Sequence, residues 1–183
     1  MPEIWLYPNR NVYLAGIACL AAPTAFSLFG LGWNVWSQDF WYAPVFGVMF
    51  LGFSYGLLSL WGAMYRPRLG YKDAQLLVYF ERGKPVPVPI QIVECFFLGQ
   101  GEAHLPKVQG KEPETLNVIV RLAESATDWK HRDVPARWGH WCEGYITLNG
   151  AWCEPISNAQ LGELNRKLIA AHRSLKTAAG VSA

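Results

Sequence analysis

The chain has 183 residues, 16 Lys and Arg against 14 Asp and Glu, and a formal net charge of +2. Charged residues make up 16% of it, well below the roughly 25% of an ordinary soluble domain. Nine tryptophans and an aromatic content of 14% exclude disorder over most of the length, and the near-balanced charge gives no argument for a nucleic-acid partner.

The charge deficit is local. Residues 1–65 hold three charged side chains, Glu3, Arg10 and Asp39, and residues 66–183 hold the other 27. Asn11–Gln38 is a run of 28 residues without a charge, and Phe40–Tyr65 is another of 26. About 20 apolar residues cross a hydrocarbon core of roughly 30 Å as a helix. In lipid the backbone must satisfy itself, so each run reads as a helix rather than a strand. The spacing predicts spans over about 12–31 and 44–65, within an anchor covering residues 1–72. The first run is too long for a signal-peptide core.

Along the first span, Pro23 sits mid-helix and is expected to kink it or loosen its hydrogen-bond ladder. Pro44 falls in the first turn of the second span, where it is tolerated. Gly52 and Gly56 form a small-xxx-small pair suited to close packing between transmembrane helices. Trp5, Tyr7 and Tyr13 before and within the start of the first span, Trp33, Trp36, Trp41 and Tyr42 around the connector, and Trp61 and Tyr65 at the exit mark two headgroup-level belts. Arg10 precedes the first span and Arg66, Arg68 and Lys72 follow the second, while the connector carries only Asp39. The positive-inside rule then puts both termini in the cytoplasm. Neither span contains an ionisable group, which argues against a pump or a self-sufficient transporter.

Residues 73–176 read as a cytoplasmic β-rich domain, with 177–183 as a flexible tail. Arg66–Asp73 reads as an exit linker, Ala74–Phe80 as a strand, and Glu81–Lys84 as a turn. Pro85, Pro87 and Pro89 alternate with valines, so that piece is extended and either lies at a sheet edge or has its empty donor positions facing solvent. Ile90–Leu98 and Leu116–Leu122 are further strands, separated by a polar excursion over Glu102–Thr115. Ser125–Gly139 reads as an exposed loop. Tyr145–Leu148 and Ala151–Glu154 flank Asn149-Gly150, the pair favoured in a type I′ hairpin turn. Ser157 with Gln160 fits a capping box, and Leu161, Leu164, Leu168, Ala171 or His172, and Leu175 define an amphipathic helix over roughly 158–175.

The residue types that carry chemistry do not assemble in the sequence. His140, Cys142 and Cys153, with His104 and His131 further off, match no tight zinc spacing. A Cys142–His140 nucleophile pair lacks an orienting acid. No phosphate loop, paired carboxylates or dinucleotide fingerprint occurs. No catalytic residue, cofactor or metal is therefore expected. Trp129, Trp138, Trp141 and Trp152 form an aromatic group suited either to a tryptophan-lined core or to partner contact. Arg66, Arg68, Lys72, Arg82 and Lys84 are bases near the membrane in sequence, candidates for headgroup contact.

Two spans followed by strands and one closing helix resemble bacterial membrane proteins that carry a pleckstrin-homology-like domain. The likeness is architectural and rests on Leu76–Phe80, Pro89–Leu98, Leu116–Leu122, the Tyr145–Glu154 hairpin and the helix Asn158–Leu175. Five strands are clear where such a domain has seven. The resemblance implies a membrane α-helical hairpin followed by an antiparallel β-rich α+β domain with a C-terminal helix. It also implies a scaffold or regulator of the bacterial inner membrane, without catalytic residues. The expected role is a non-catalytic accessory subunit whose partners are other integral membrane subunits, with lipids at the interfaces. A membrane-anchored module that senses a lipid or another ligand is the alternative.

Overall fold

The computed structural model describes residues 2–38, 41–80, 83–102, 114–136 and 138–181. Asp39, Arg82, His104 and most of the polar excursion after Glu102 lie outside the described residues. The chain divides into two compact units, Arg10–Arg66 and a second made of Met1–Asn9 with Pro67–Ala183.

The first unit is a hairpin of two helices, α1 (Arg10–Ser37) and α2 (Ala43–Met64). At 1.5 Å per residue they are about 42 Å and 33 Å long, enough to cross a hydrocarbon core. Of their most apolar stretches 6% and 0% is buried inside the protein, so these are not the core helices of a soluble fold. α1 runs on through Pro23 rather than ending there. Its hydroxyls bond back along the helix, Thr24 Oγ1 to the Leu20 carbonyl at 2.6 Å and Ser27 Oγ to that of Pro23 at 2.7 Å. Glycines set the contact between the helices. Gly16 lies under Leu60 and Gly56 under Leu20, each leaving only 3.1 Å for an added Cβ, and at Gly30 the Phe46 ring takes the side-chain space. The expected pairing of Gly52 with Gly56 is therefore split: Gly56 is in the α1–α2 contact, whereas a Cβ at Gly52 would meet nothing within 4 Å. Trp33, Trp36, Trp41, Tyr42, Trp61 and Tyr65 present exposed rings near the helix ends.

The second unit holds two four-stranded antiparallel sheets and a helix. In the first sheet β1 (Glu3–Leu6), β2 (Leu69–Lys72), β3 (Gln75–Val78) and β4 (Val86–Pro89) lie in chain order. In the second, β5 (Val93–Glu102) and β6 (Glu114–Leu122) are followed in space by β8 (Tyr145–Leu148) and then β7 (Gly139–Cys142). α3 (Asn158–Val181) closes the unit. One core joins Leu69, Leu76 and Val88 of the first sheet to Phe96, Val118 and Ile146 of the second and to Leu164 and Leu168 of α3.

The anchor read as residues 1–72 is shorter than that. Glu3 pairs with Tyr71 and Leu6 with Leu69, so the segments before and after the helices are neighbouring strands of one sheet. The membrane hairpin is an insertion between β1 and β2. Trp5, expected at the membrane interface, is buried in the β-unit's core, stacked on Tyr71 at 5.2 Å and edge-on to Phe96. Both ends of the hairpin consequently emerge on one side of any membrane it crosses, as two spans require.

Other readings change locally. The Val-Pro alternation does form an edge strand, β4, where the missing proline donors leave no gap in the ladder. The Ala74–Phe80 strand is β3 alone, preceded by a tight turn at Asp73 and Ala74, which adopt φ of 50° and 62°. The Asn149-Gly150 hairpin is absent. The two-residue turn is Glu143-Gly144, at φ of 53° and 77°, and it joins β7 to β8. Asn149 is extended instead, and its Oδ1 accepts the Ala151 N–H at the start of a single 3₁₀ turn. The Gly150 N–H is taken by Asn117 Oδ1 at 2.9 Å, and its α-carbon is pressed against the Leu116 carbonyl. Glycine is needed there for close approach, not for a left-handed turn.

The capping box at α3 forms as expected, with Ser157 N–H donating to Gln160 Oε1 at 2.7 Å and the Gln160 N–H to Ser157 Oγ at 3.3 Å. Leu164, Leu168 and Ala171 are buried along the foreseen stripe. The helix continues to Val181, through most of what was read as a tail, because Thr177-Ala178-Ala179 offers nothing to stop it.

Candidate functional site

The tryptophans that drew attention in the sequence do come together, but as structure. Trp141 is 1% exposed and Trp152 8%, which puts both rings in the packing rather than on a surface for a partner. Trp129 and Trp138 pack against the same core and stay half-buried. Trp129 stacks on Trp141 with ring centres 6.0 Å apart, and Trp141 Nε1 donates to the Trp129 carbonyl at 2.8 Å. Trp138 lies 5.1 Å from Trp152.

Arg68 binds this group to the strands that flank the hairpin. It is only 7% exposed. Its guanidinium carbon sits 4.5 Å from the centre of the Trp138 ring, a cation–π distance, and its Nε donates to the Trp152 carbonyl at 3.1 Å. Its backbone N–H donates to the Leu6 carbonyl at 2.8 Å, and its own carbonyl accepts from Tyr79 at 3.1 Å. A side chain so engaged is not available to a lipid headgroup. Lys72 and Lys84 are exposed, and Lys72 pairs with Asp73 at 3.5 Å. Arg66 is exposed at the end of the hairpin unit.

The Trp152 carbonyl has a second donor, which no local sequence pattern foreshadows. The Asn9 N–H reaches it at 3.0 Å, and Asn9 Nδ2 donates to Ala151 at 3.3 Å. Tyr7 and Glu154 complete the seam: Tyr7 N–H donates to Glu154 Oε1 and Glu154 N–H to the Tyr7 carbonyl, both at 3.0 Å. Residues immediately before α1 and immediately after α2 thus converge on one short segment, Ala151–Glu154.

Cys153 lies inside that segment and is fully buried. Burial raises its thiol from the ordinary 9.0 to about 12, against a lowering by the Arg68 charge, and the Glu154 charge adds to the rise. A thiol held neutral in this way is a packing group, not a nucleophile. His140 is exposed on β7 and Cys142 is half-buried two residues on. Among the described residues no three His, Cys, Asp or Glu side chains gather as a metal-binding group. His172 bonds through Nε2 to the Ile90 carbonyl at 2.7 Å, fixing α3 to the turn before β5.

Asn165 is the other residue whose role was hidden. Its Oδ1 accepts the Phe96 N–H and its Nδ2 donates to the Phe96 carbonyl, each at 2.9 Å. β5 is an edge of its sheet. The side-chain amide therefore stands where a further strand would, and closes that edge locally.

No protein-family model matches the chain, and no curated protein or solved structure is significantly similar to it.

Proposed function

We propose that the protein is a non-catalytic accessory or scaffold subunit of an integral complex of the bacterial inner membrane, with its β-unit and both termini in the cytoplasm. The observation that carries this reading is the insertion of the apolar hairpin between two hydrogen-bonded strands. A protein that only needed a tether would hold its domain at one end of a helix. Here the β-unit is completed by strands on either side of the hairpin, so membrane insertion and the fold of the β-unit are built together. Three groups of that unit able to do chemistry, Arg68, Cys153 and His172, are engaged in its packing and hydrogen bonding. Two antiparallel sheets closed by a C-terminal helix support the pleckstrin-homology-like reading in outline, with eight strands among the described residues where the comparison has seven. The basic flanks Arg10, Arg66 and Lys72 support the orientation.

Purification of the full chain from its native membrane in a mild detergent tests the proposal. Other integral membrane proteins are expected to travel with it in fixed stoichiometry. Recovery of this chain alone, single or self-paired, would overturn the reading. The lipid-sensing alternative is weakened because Arg68, the most firmly oriented of its candidate bases, is buried. It would be favoured by binding of anionic over neutral vesicles that weakens with salt.

A further inference from the structure

The face of the second sheet turned away from the core carries a cavity of about 390 Å³. Sites for small molecules span roughly 300–1,000 Å³. Side chains alternate along a strand, so Asn117 and Ile119 stand on the face opposite the core residues Val118 and Val120. Register sets Ile119 beside Thr147 of β8, and Thr147 beside His140 of β7. All four line the cavity. Asn117 is 7% exposed, and its amide has one orientation: Oδ1 accepts the Gly150 N–H at 2.9 Å, which makes the other amide atom the nitrogen. That Nδ2 lies over Gly101, 2.6 Å from where a Cβ would stand, and Gly101 is part of the same lining. Nδ2 makes no hydrogen bond among the described residues, and neither do the side chains of Thr147 and His140. No Asp, Glu, Lys or Arg is among the described residues that line the cavity.

We propose that this cavity binds an uncharged sugar. A nearly buried amide donor held in place by its own oxygen calls for an acceptor oxygen from outside the fold. The Thr147 hydroxyl and a neutral His140 ring each donate and accept, which suits hydroxyl groups that do the same. Asn117, Thr147 and His140 come from three successive strands, β6, β8 and β7, spaced about 4.8 Å apart. A single amide or carboxylate group is too small to reach all three, whereas hydroxyls distributed round a sugar ring reach them together. Ile119 lies among them and offers an apolar surface to the ring's C–H face. Gly101 keeps the approach to Asn117 open, since a side chain there would collide with the amide. With no fixed charge in the lining to receive it, a phosphate or carboxylate would be desolvated without compensation. The site goes beyond the accessory role and does not depend on it.

Titration calorimetry on the full-length chain, in a detergent without a sugar headgroup, tests it. The probes are glucose, galactose, mannose and ribose, with glucose 6-phosphate and glucuronate as charged counterparts. At least one neutral sugar is expected to bind saturably, and the charged forms at least about tenfold more weakly. Asn117→Asp keeps the oxygen that holds Gly150 and turns the free donor into an acceptor, so it should weaken binding about tenfold or more. Thr147→Val keeps the shape and removes the hydroxyl, for a loss of about fivefold. The melting transition of each variant ensures that folded protein is being compared, and Thr147→Val carries the test if Asn117→Asp does not fold. Absence of saturable binding by all four neutral sugars, charged forms that bind as well as neutral ones, or an affinity indifferent to Thr147→Val would overturn the proposal.

Discussion

The backbone N–H of Asn9 and the guanidinium Nε of Arg68 donate to the same oxygen, the carbonyl of Trp152, at 3.0 and 3.1 Å. Fifty-eight residues of membrane hairpin and its flanks separate the two in sequence. Their meeting point belongs to the β-unit, so the ends of the insertion are held by that unit and not by the helices.

Arg68 should therefore matter to stability more than an exposed base would. Arg68→Leu removes a charged hydrogen bond to a buried carbonyl and a cation–π contact, and is expected to cost about 2–4 kcal/mol in denaturant unfolding of the β-unit. Arg68→Lys should recover only part of this. A lysine keeps the charge but not the planar donor aimed at Trp152. Equal stability of Arg68→Leu and the parent protein would show that the clasp contributes nothing.

The β-unit should fold without its hairpin only if β1 is kept. Joining Asn9 to Pro67 through a short Gly/Ser linker is expected to give a soluble domain with a cooperative melt. Residues 67–183 alone lack Trp5 and Leu6 of the core and leave β2 unpaired on one side. That fragment should aggregate or melt without cooperativity. Proton NMR dispersion of the two proteins separates the cases.

Turn chemistry offers a stabilising change. Glu143 is held at φ 53° in front of Gly144, where Asn is the preferred residue of a type I′ turn. Glu143→Asn should raise stability by about 0.5–1 kcal/mol. Gly150→Ala should do the reverse and strongly, because its methyl would overlap the Leu116 carbonyl. Thermal melts of both variants read the opposite signs directly.

Cys153 predicts a pH dependence. The folded protein keeps the thiol neutral up to about 12, whereas in the unfolded chain it ionises near 9.0. Above the lower value the unfolded chain releases its proton first and gains relative to the folded one. The contribution is complete below pH 9 and is lost as pH rises toward 12, with a slope of about 1.4 kcal/mol per pH unit. Cys153→Ala should flatten that part of the stability–pH curve. A curve of unchanged slope would show that another group is responsible.

Asn165→Leu keeps the size of the side chain and removes both hydrogen bonds to Phe96. A loss of about 1–3 kcal/mol is expected, together with concentration-dependent association as the edge of β5 opens. Light scattering across a dilution series detects the second effect independently of the first.

The membrane hairpin could be read from the sequence because its signal is additive: two long runs without charge say the same thing at every position, whatever they pack against. The capping box and the leucine stripe of α3 were legible for a similar reason, since each depends on residues within a turn or two of one another. The edge position of β4 followed from a chemical lack, the missing proline N–H. Tertiary structure alone decided which turn residues turn. Asn149-Gly150 has the better local chemistry, but the Gly150 N–H bonds to Asn117 and its α-carbon abuts Leu116, and Glu143-Gly144 takes the left-handed conformation instead. It also decided that residues 2–9 belong with 67–181, that Arg68 is buried, and that Trp141 and Trp152 are core. Each of these depends on a pairing across tens of residues, which no local pattern encodes. The sequence located the membrane part by what it omits, and the fold assigned the rest by which distant backbone groups had to be satisfied.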